Sequence, residues 1–221
     1  MINTFKKYAE EQGLYIATAK DITKLVDAAI SGFGNTYPLQ QWFDQGGDGS
    51  NLTATTIHPK GWRATWEANL LSMMPESIIL ADSPEINAWI MWTRPNARQF
   101  SDMEWMRNGG YKALLHMGVG EMMRFDTYEK YSAAMRKRLA PEAFYLYNLV
   151  VRKECQRLGL GKKLLKISHD FMDSNGLSAY LETHKADNVP YYETWGYVPY
   201  PDTTLPGTKL THYAMKRGAG K

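Results

Sequence analysis

A single cysteine, Cys155, occurs among the 221 residues, so no disulfide can form within the chain. That fits a reducing compartment. Long apolar runs are missing: no stretch approaches the roughly 20 apolar residues that span a bilayer. The first residues, Met1 to Gln12, are polar and charged and hold no signal-peptide core. Charge of one sign is scarce. Lys+Arg 26 against Asp+Glu 23 leaves a net charge of +3, without the dense basic stripe of a nucleic-acid binder. The run Arg136-Lys137-Arg138 reads as a solvated helix face. No repeat and no low-complexity tract is present. These absences predict no nucleic-acid partner, no membrane association and a cytoplasmic location.

What the chain has is material for a core. The hydrophobic fraction is 44% and the aromatic fraction 13%, values of a folded globular protein. Its length suits one sizeable domain. Leu14 to Ala17 is a short apolar run. Asp21 is placed to cap a helix carrying Ile22, Leu25, Val26, Ala29 and Ile30 at helical spacing. Tyr37 to Phe43 reads as an aromatic loop or short helix, and Pro59 to Met74 as a helix. Ser77 to Ala81 and Ile86 to Thr93 predict an antiparallel hairpin. Residues from Pro95 to Pro141 read mostly as helix, broken at Gly109-Gly110 and Gly118 to Gly120, and are expected to form an insertion. Ala143 to Val151 is rich in strand formers. A helix ending near Gly176 follows, then a strand over Leu177 to Thr183 and a short helix over Asp187 to Trp195. Two more strands, Gly196 to Tyr200 and Lys209 to Lys216, close the chain, and Arg217 to Lys221 reads as a frayed tail.

The strongest local signal lies between the Ala143 to Val151 strand and the helix after it: Gln156-Arg157-Leu158-Gly159-Leu160-Gly161-Lys162. Strand, glycine turn and helix start together offer unpaired N–H donors and a positive dipole end, which suit a phosphate or pyrophosphate. The P-loop spacing is absent, and so is the third glycine of a dinucleotide fingerprint. What fits is Q/R-x-x-G-x-G/A, here Gln156, Gly159 and Gly161. A second segment, Asn188-Val189-Pro190-Tyr191-Tyr192-Glu193-Thr194-Trp195-Gly196-Tyr197, follows in order. Together they resemble the two motifs of the GNAT superfamily of acetyl-CoA-dependent N-acetyltransferases, over roughly residues 14 to 216. The long insertion resembles the branch that includes puromycin acetyltransferase-like enzymes.

The resemblance implies an α/β (α+β) GNAT fold, a mixed twisted sheet with a splayed central strand pair flanked by helices. It implies a single domain over 1–221 with a helical insertion at about 95–141. The cofactor would be acetyl-CoA. Leu149, Val150 and Val151 would pair with its pantetheine amides like an added strand. Gln156, Arg157, Leu158, Gly159, Leu160, Gly161 and Lys162 would hold its pyrophosphate. Asn188 would cap its helix, bond the cofactor, or do both. Tyr192 is by position the general acid that protonates the leaving thiolate, and it also meets the cofactor. For the general base three candidates stand open: Glu182, His184, with an ordinary pKa near ~6.5, and a water chain. The family transfers directly, so a covalent acetyl on Cys155 is not expected. His58, His116, His169 and His212 lack metal-ligand spacing, and no metal is expected. Tyr37 to Phe43, Trp62, Trp66, Trp105 and Met106 are the candidates for an acceptor pocket.

The expected activity is acetyl transfer from acetyl-CoA to a primary amine of a small molecule, by direct attack in a ternary complex. The expected assembly is a monomer or homodimer. The alternatives are a hydroxyl or a protein amine as acceptor, or a CoA-binding protein without catalysis.

Overall fold

The structure is a computed structural model, and it describes residues 1–34 and 36–220. It opens with α1 (Ile2–Glu11), whose Phe5 and Ala9, one turn apart, are fully buried. Phe5 stacks on Phe171 with ring centroids 4.3 Å apart. The polar sequence here hides a helix that needs only a narrow apolar stripe. β1 (Tyr15–Ile16) follows, then α2 (Ile22–Phe33) with Leu25, Val26, Ala28 and Ala29 buried. Asp21 does not cap α2. It closes a capping box with Thr18 around the preceding turn, and the Tyr15 hydroxyl also donates to it. α3 (Pro38–Gln45) and α4 (Pro59–Met73) each begin with proline, which has no N–H to leave unpaired.

β2 (Ser77–Ala81) and β3 (Ala88–Thr93) form the expected antiparallel hairpin. The insertion contains α5 (Asp102–Trp105), a wide turn at 106–110 in which Gly109 has φ +107°, α6 (Tyr111–Met117) and α7 (Val119–Leu139). β4 (Phe144–Val151), α8 (Leu160–Ser174), β5 (Ala179–Thr183) and α9 (Asn188–Glu193) follow. β6 (Tyr197–Pro199), β7 (Thr203–Thr204) and β8 (Thr211–Arg217) complete the chain. Three helices, α2 to α4, thus stand between β1 and the hairpin. The end is not frayed through Gly220: Arg217 grips the Asp173 carboxylate with both nitrogens, and the Gly220 amide donates to the same group. Lys221 lies outside the described residues. Among the described residues, no helix is long and apolar enough to cross a membrane.

The strands pair in the order β1-β2-β3-β4-β5-β8-β6, with β7 beside β8. All pairs are antiparallel except β4–β5. One face of the sheet packs on α1 and α8 through Phe144, Leu146, Leu165 and Leu181. The other packs on α2 and α4 through Trp89, Met91 and Val150, and on α7 through Tyr145, Tyr180 and Met135.

Candidate active site

β4 is irregular where the site forms. Met91 pairs with Asn148 and Trp92 with Leu146, so Tyr147 is an extra residue that bulges from the ladder. On the opposite edge β4 pairs with β5 at Phe144, Tyr145 and Leu146, and among the described residues the parallel ladder stops there. The two strands part beyond that point, leaving the β5-facing edge of 147–151 unpaired. Val150 is buried under Trp89, whereas Leu149 and Val151 are half-buried on the α8 side.

The turn after β4 stays exposed. Arg157 has φ +65° and Gly159 φ +81°, and Gly159 is the residue before α8. Gly159 answers to backbone conformation, since a side chain there would meet nothing within 4 Å. Gly161 answers to a close approach: its Cβ would come 3.3 Å from the Val151 side chain. The first backbone bond of α8 is Lys163 N–H to the Gly159 carbonyl, and the amides of Arg157 to Lys162 donate to no backbone carbonyl among the described residues. No acidic side chain occupies the first turn. Gln156 donates to the Gly32 and Val151 carbonyls, tying the turn to α2 and β4. Leu158 and Lys162 face solvent, and Leu160 packs on the core.

A solvent-open cavity, about 910 Å³ counted with its mouth, lies at the splayed pair. Tyr37, Phe43, Trp62, Trp66, Tyr128 and Tyr147 supply much of its aromatic wall, and Leu149, Asn188 and Tyr192 reach it from the cleft. Two carboxylates, Glu129 and Glu182, also line it. Trp105 and Met106 do not. They line a second cavity between the insertion and β4–β5, and Trp105 donates to Asn69 at 2.6 Å.

Glu182 points to the α7 face, as strand alternation requires with Leu181 turned to α8. Ser132, Tyr180 and Tyr128 donate to it at 2.6, 2.8 and 3.4 Å. Burial pushes its pKa up, against the opposing hydrogen bonds from Ser132 and Tyr180. Glu129 accepts from the Tyr147 hydroxyl at 3.1 Å, and burial raises it too. Behind Glu182, His212 Nε2 lies 3.7 Å from its Oε1, and His212 Nδ1 lies 3.1 Å from His184 Nε2. His184, the other base candidate among the side chains, is a buried partner of His212, and burial lowers it to about 3. Asn188 does not cap α9. It stands inside the helix and its amide donates to Thr183 at 2.9 Å. Tyr192 is raised above the ordinary tyrosine value by burial, and among the described residues its hydroxyl has no hydrogen-bond partner.

The sequence reading missed Glu129, Tyr128, Phe125 and Ser132. All lie on α7, where 125, 128, 129 and 132 share one face by their i, i+3, i+4, i+7 spacing. That stripe is the signal that could have found them, blurred by the apolar residues on the helix's other sides.

Residues 126–217 match the family model described as acetyltransferase (GNAT) domain, a segment that carries β4, the turn and α9. The match defines the class: the chain is an acyltransferase enzyme. No curated protein sequence is similar enough to match. Among solved structures, a histone acetyltransferase HPA2 and related acetyltransferase from Corynebacterium glutamicum superposes with a TM-score of 0.63. It is 20% identical, covering 94% of this chain and 96% of that one. Arylalkylamine N-acetyltransferase 2 from Aedes aegypti gives 0.57 at 14% identity over 94% and 98%. The ribosomal-protein-S18-alanine N-acetyltransferase from Escherichia coli gives 0.50 at 11% over 94% and 94%. Residues 126–217 are thus an acetyltransferase (GNAT) domain by that match, and the solved structures share the fold. Acetyl transfer is the chain's general chemistry, and acetyl-CoA is the usual co-substrate of such domains.

Proposed function

We propose that the protein transfers an acetyl group from acetyl-CoA to a primary amine of a small, partly aromatic molecule, by direct attack in a ternary complex. The observation that carries this reading is the cavity itself. Aromatic faces and two carboxylates, Glu129 and Glu182, meet the splayed end of β4–β5 in one space. Aromatic faces attract a cation, and carboxylates complement it. The solved structures with this fold include one named for arylalkylamines and one named for a ribosomal-protein alanine. The fold therefore leaves the acceptor open, and the cavity wall is what favours a small aromatic amine.

The chain's own groups fit the co-substrate. The unpaired edge of 147–151 offers backbone partners for pantetheine amides. The amides of Arg157 to Lys162, which donate to no backbone carbonyl among the described residues and stand at the positive end of α8, would hold the pyrophosphate. Bound acetyl-CoA supplies an activated thioester carbonyl. Glu182 takes the proton that the ammonium must lose, a task its raised pKa favours. The amine nitrogen then bonds to the carbonyl carbon as the carbon–sulfur bond breaks. Tyr192, held neutral by burial, gives its proton to the departing sulfur, and the second proton shed by the acylated nitrogen restores the phenol. Asn188 acts through Thr183, fixing α9 against the end of β5. We read 1–221 as one domain with an insertion at about 95–141, because α7 supplies Glu129 and Ser132 to groups on β4 and β5.

A panel of aromatic primary amines, matched alcohols and lysine peptides, followed by free-thiol release, tests the reading. Release with the amines is expected. Release with alcohols or peptides alone, or tight CoA binding with no release from any acceptor, would contradict it.

A further inference from the structure

A second cluster of functional side chains lies beyond the catalytic cleft, where three helices meet. Asp44 sits in the last turn of α3, His58 directly precedes α4, and Glu121 lies in the first turn of α7. Their ligand atoms all lie within 4.8 Å of one another. His58 Nδ1 is 3.1 Å from Asp44 Oδ1 and 3.1 Å from Glu121 Oε2. Asp44 is 5% exposed and Glu121 only 2%.

The cluster is unbalanced as it stands. Asp44 already accepts the backbone N–H groups of Ile57 and His58. Both oxygens of Glu121 are buried without a hydrogen-bond partner among the described residues. One Nδ1 proton on His58 can serve only one of the two carboxylates. The nearby Arg124 is engaged elsewhere, its Nε and Nη2 donating to the Phe43 carbonyl. Two buried carboxylates and one imidazole nitrogen thus converge on one point, and a buried unpartnered carboxylate is costly.

We propose that Asp44, His58 and Glu121 bind one divalent transition-metal ion of the zinc class. A neutral imidazole and two carboxylates balance a double positive charge. Ligands bonded at ~2.0–2.1 Å and 3.1 Å apart subtend about 100° at the metal, between tetrahedral and octahedral angles. Three protein ligands of mixed N and O type suit zinc and its first-row neighbours, whereas calcium takes 6–8 oxygen ligands. The side chain of His58 is 36% exposed, which gives the ion an entry path and water a place in the coordination shell.

The ion would clamp the acceptor cavity. Phe43 adjoins Asp44, Trp62 lies one turn after His58, and Phe125 one turn after Glu121. Phe43 packs on Trp62 and Phe125 with ring centroids 6.0 and 5.3 Å apart. This consequence rests on the acceptor reading above, but the binding of metal does not.

The test is titration of the metal-stripped full-length protein with Zn²⁺ by calorimetry, and with Co²⁺ followed by visible absorption. No acceptor or acetyl-CoA is added, so the outcome is independent of the proposed activity. One equivalent bound is expected, with Zn²⁺ raising the Tm. Glu121→Gln and His58→Ala should each weaken uptake at least about tenfold. Glu121→Gln, nearly isosteric, should keep its circular dichroism and lose the metal-dependent Tm rise. Uptake of less than one equivalent by the wild type, or uptake by both variants equal to that of the wild type, would overturn the proposal.

Discussion

Tyr192 reaches the cavity with a hydroxyl that burial keeps protonated. If it protonates sulfur, Tyr192→Phe should lower kcat by about 10²-fold, in line with general acid catalysis. Acetyl-CoA affinity by calorimetry should hardly change, and an unchanged kcat would remove Tyr192 from the reaction. Glu182 carries a complementary expectation. A base must be ionised, so kcat should fall as pH drops through its raised pKa. Glu182→Gln should be slow at every pH and lack that acidic limb, and a retained limb would point to another base. The buried histidines act on stability instead. His169 bonds to the Tyr197 hydroxyl, and burial lowers it to about 4 from 6.5. The unfolded chain then binds more protons between those values, so its stabilisation is full above pH 6.5 and lost as pH falls toward 4. That amounts to about 3 kcal/mol, and His169→Gln should flatten this part of the urea-stability profile. At this scale the sequence made Tyr192 legible through its motif. It misplaced Asp21, whose carboxylate is taken up by Thr18 and Tyr15 and does not cap α2.

The elements divide by how local their cause is. β4, α8 and β5 were legible because each carries its own local signal, a segment rich in strand formers or a stripe such as Leu164, Ile167 and Phe171. α1 was not, since its two fully buried residues gain meaning only against Phe144 and Phe171. Phe5→Ala should therefore cost about 3–5 kcal/mol in urea unfolding, the range for a buried phenylalanine. A cost under about 1 kcal/mol would show that α1 is not docked as described. The bulge at Tyr147 was equally hidden. All residues from Phe144 to Val151 except Asn148 are strand formers, so composition does not mark where the ladder slips. The slip is visible only in the pairing with β3.

Over the whole molecule, a strand pair that parts after Leu146 joins an exposed, amide-rich turn on one side to an aromatic, doubly acidic cavity on the other. The turn was written in the sequence, and half of the cavity wall was, through Tyr37, Phe43, Trp62 and Trp66. The half from α7 was not, because the insertion's contribution depends on how it folds back over β4 and β5. On the proposed reading, such a layout would bring both substrates together before any bond changes, with no residue acylated in between. Initial-rate kinetics of the wild-type protein, with acetyl-CoA and an aromatic primary amine varied together, test this most directly. Double-reciprocal lines that intersect are the predicted result. Parallel lines, the mark of an acylated intermediate, would contradict direct attack.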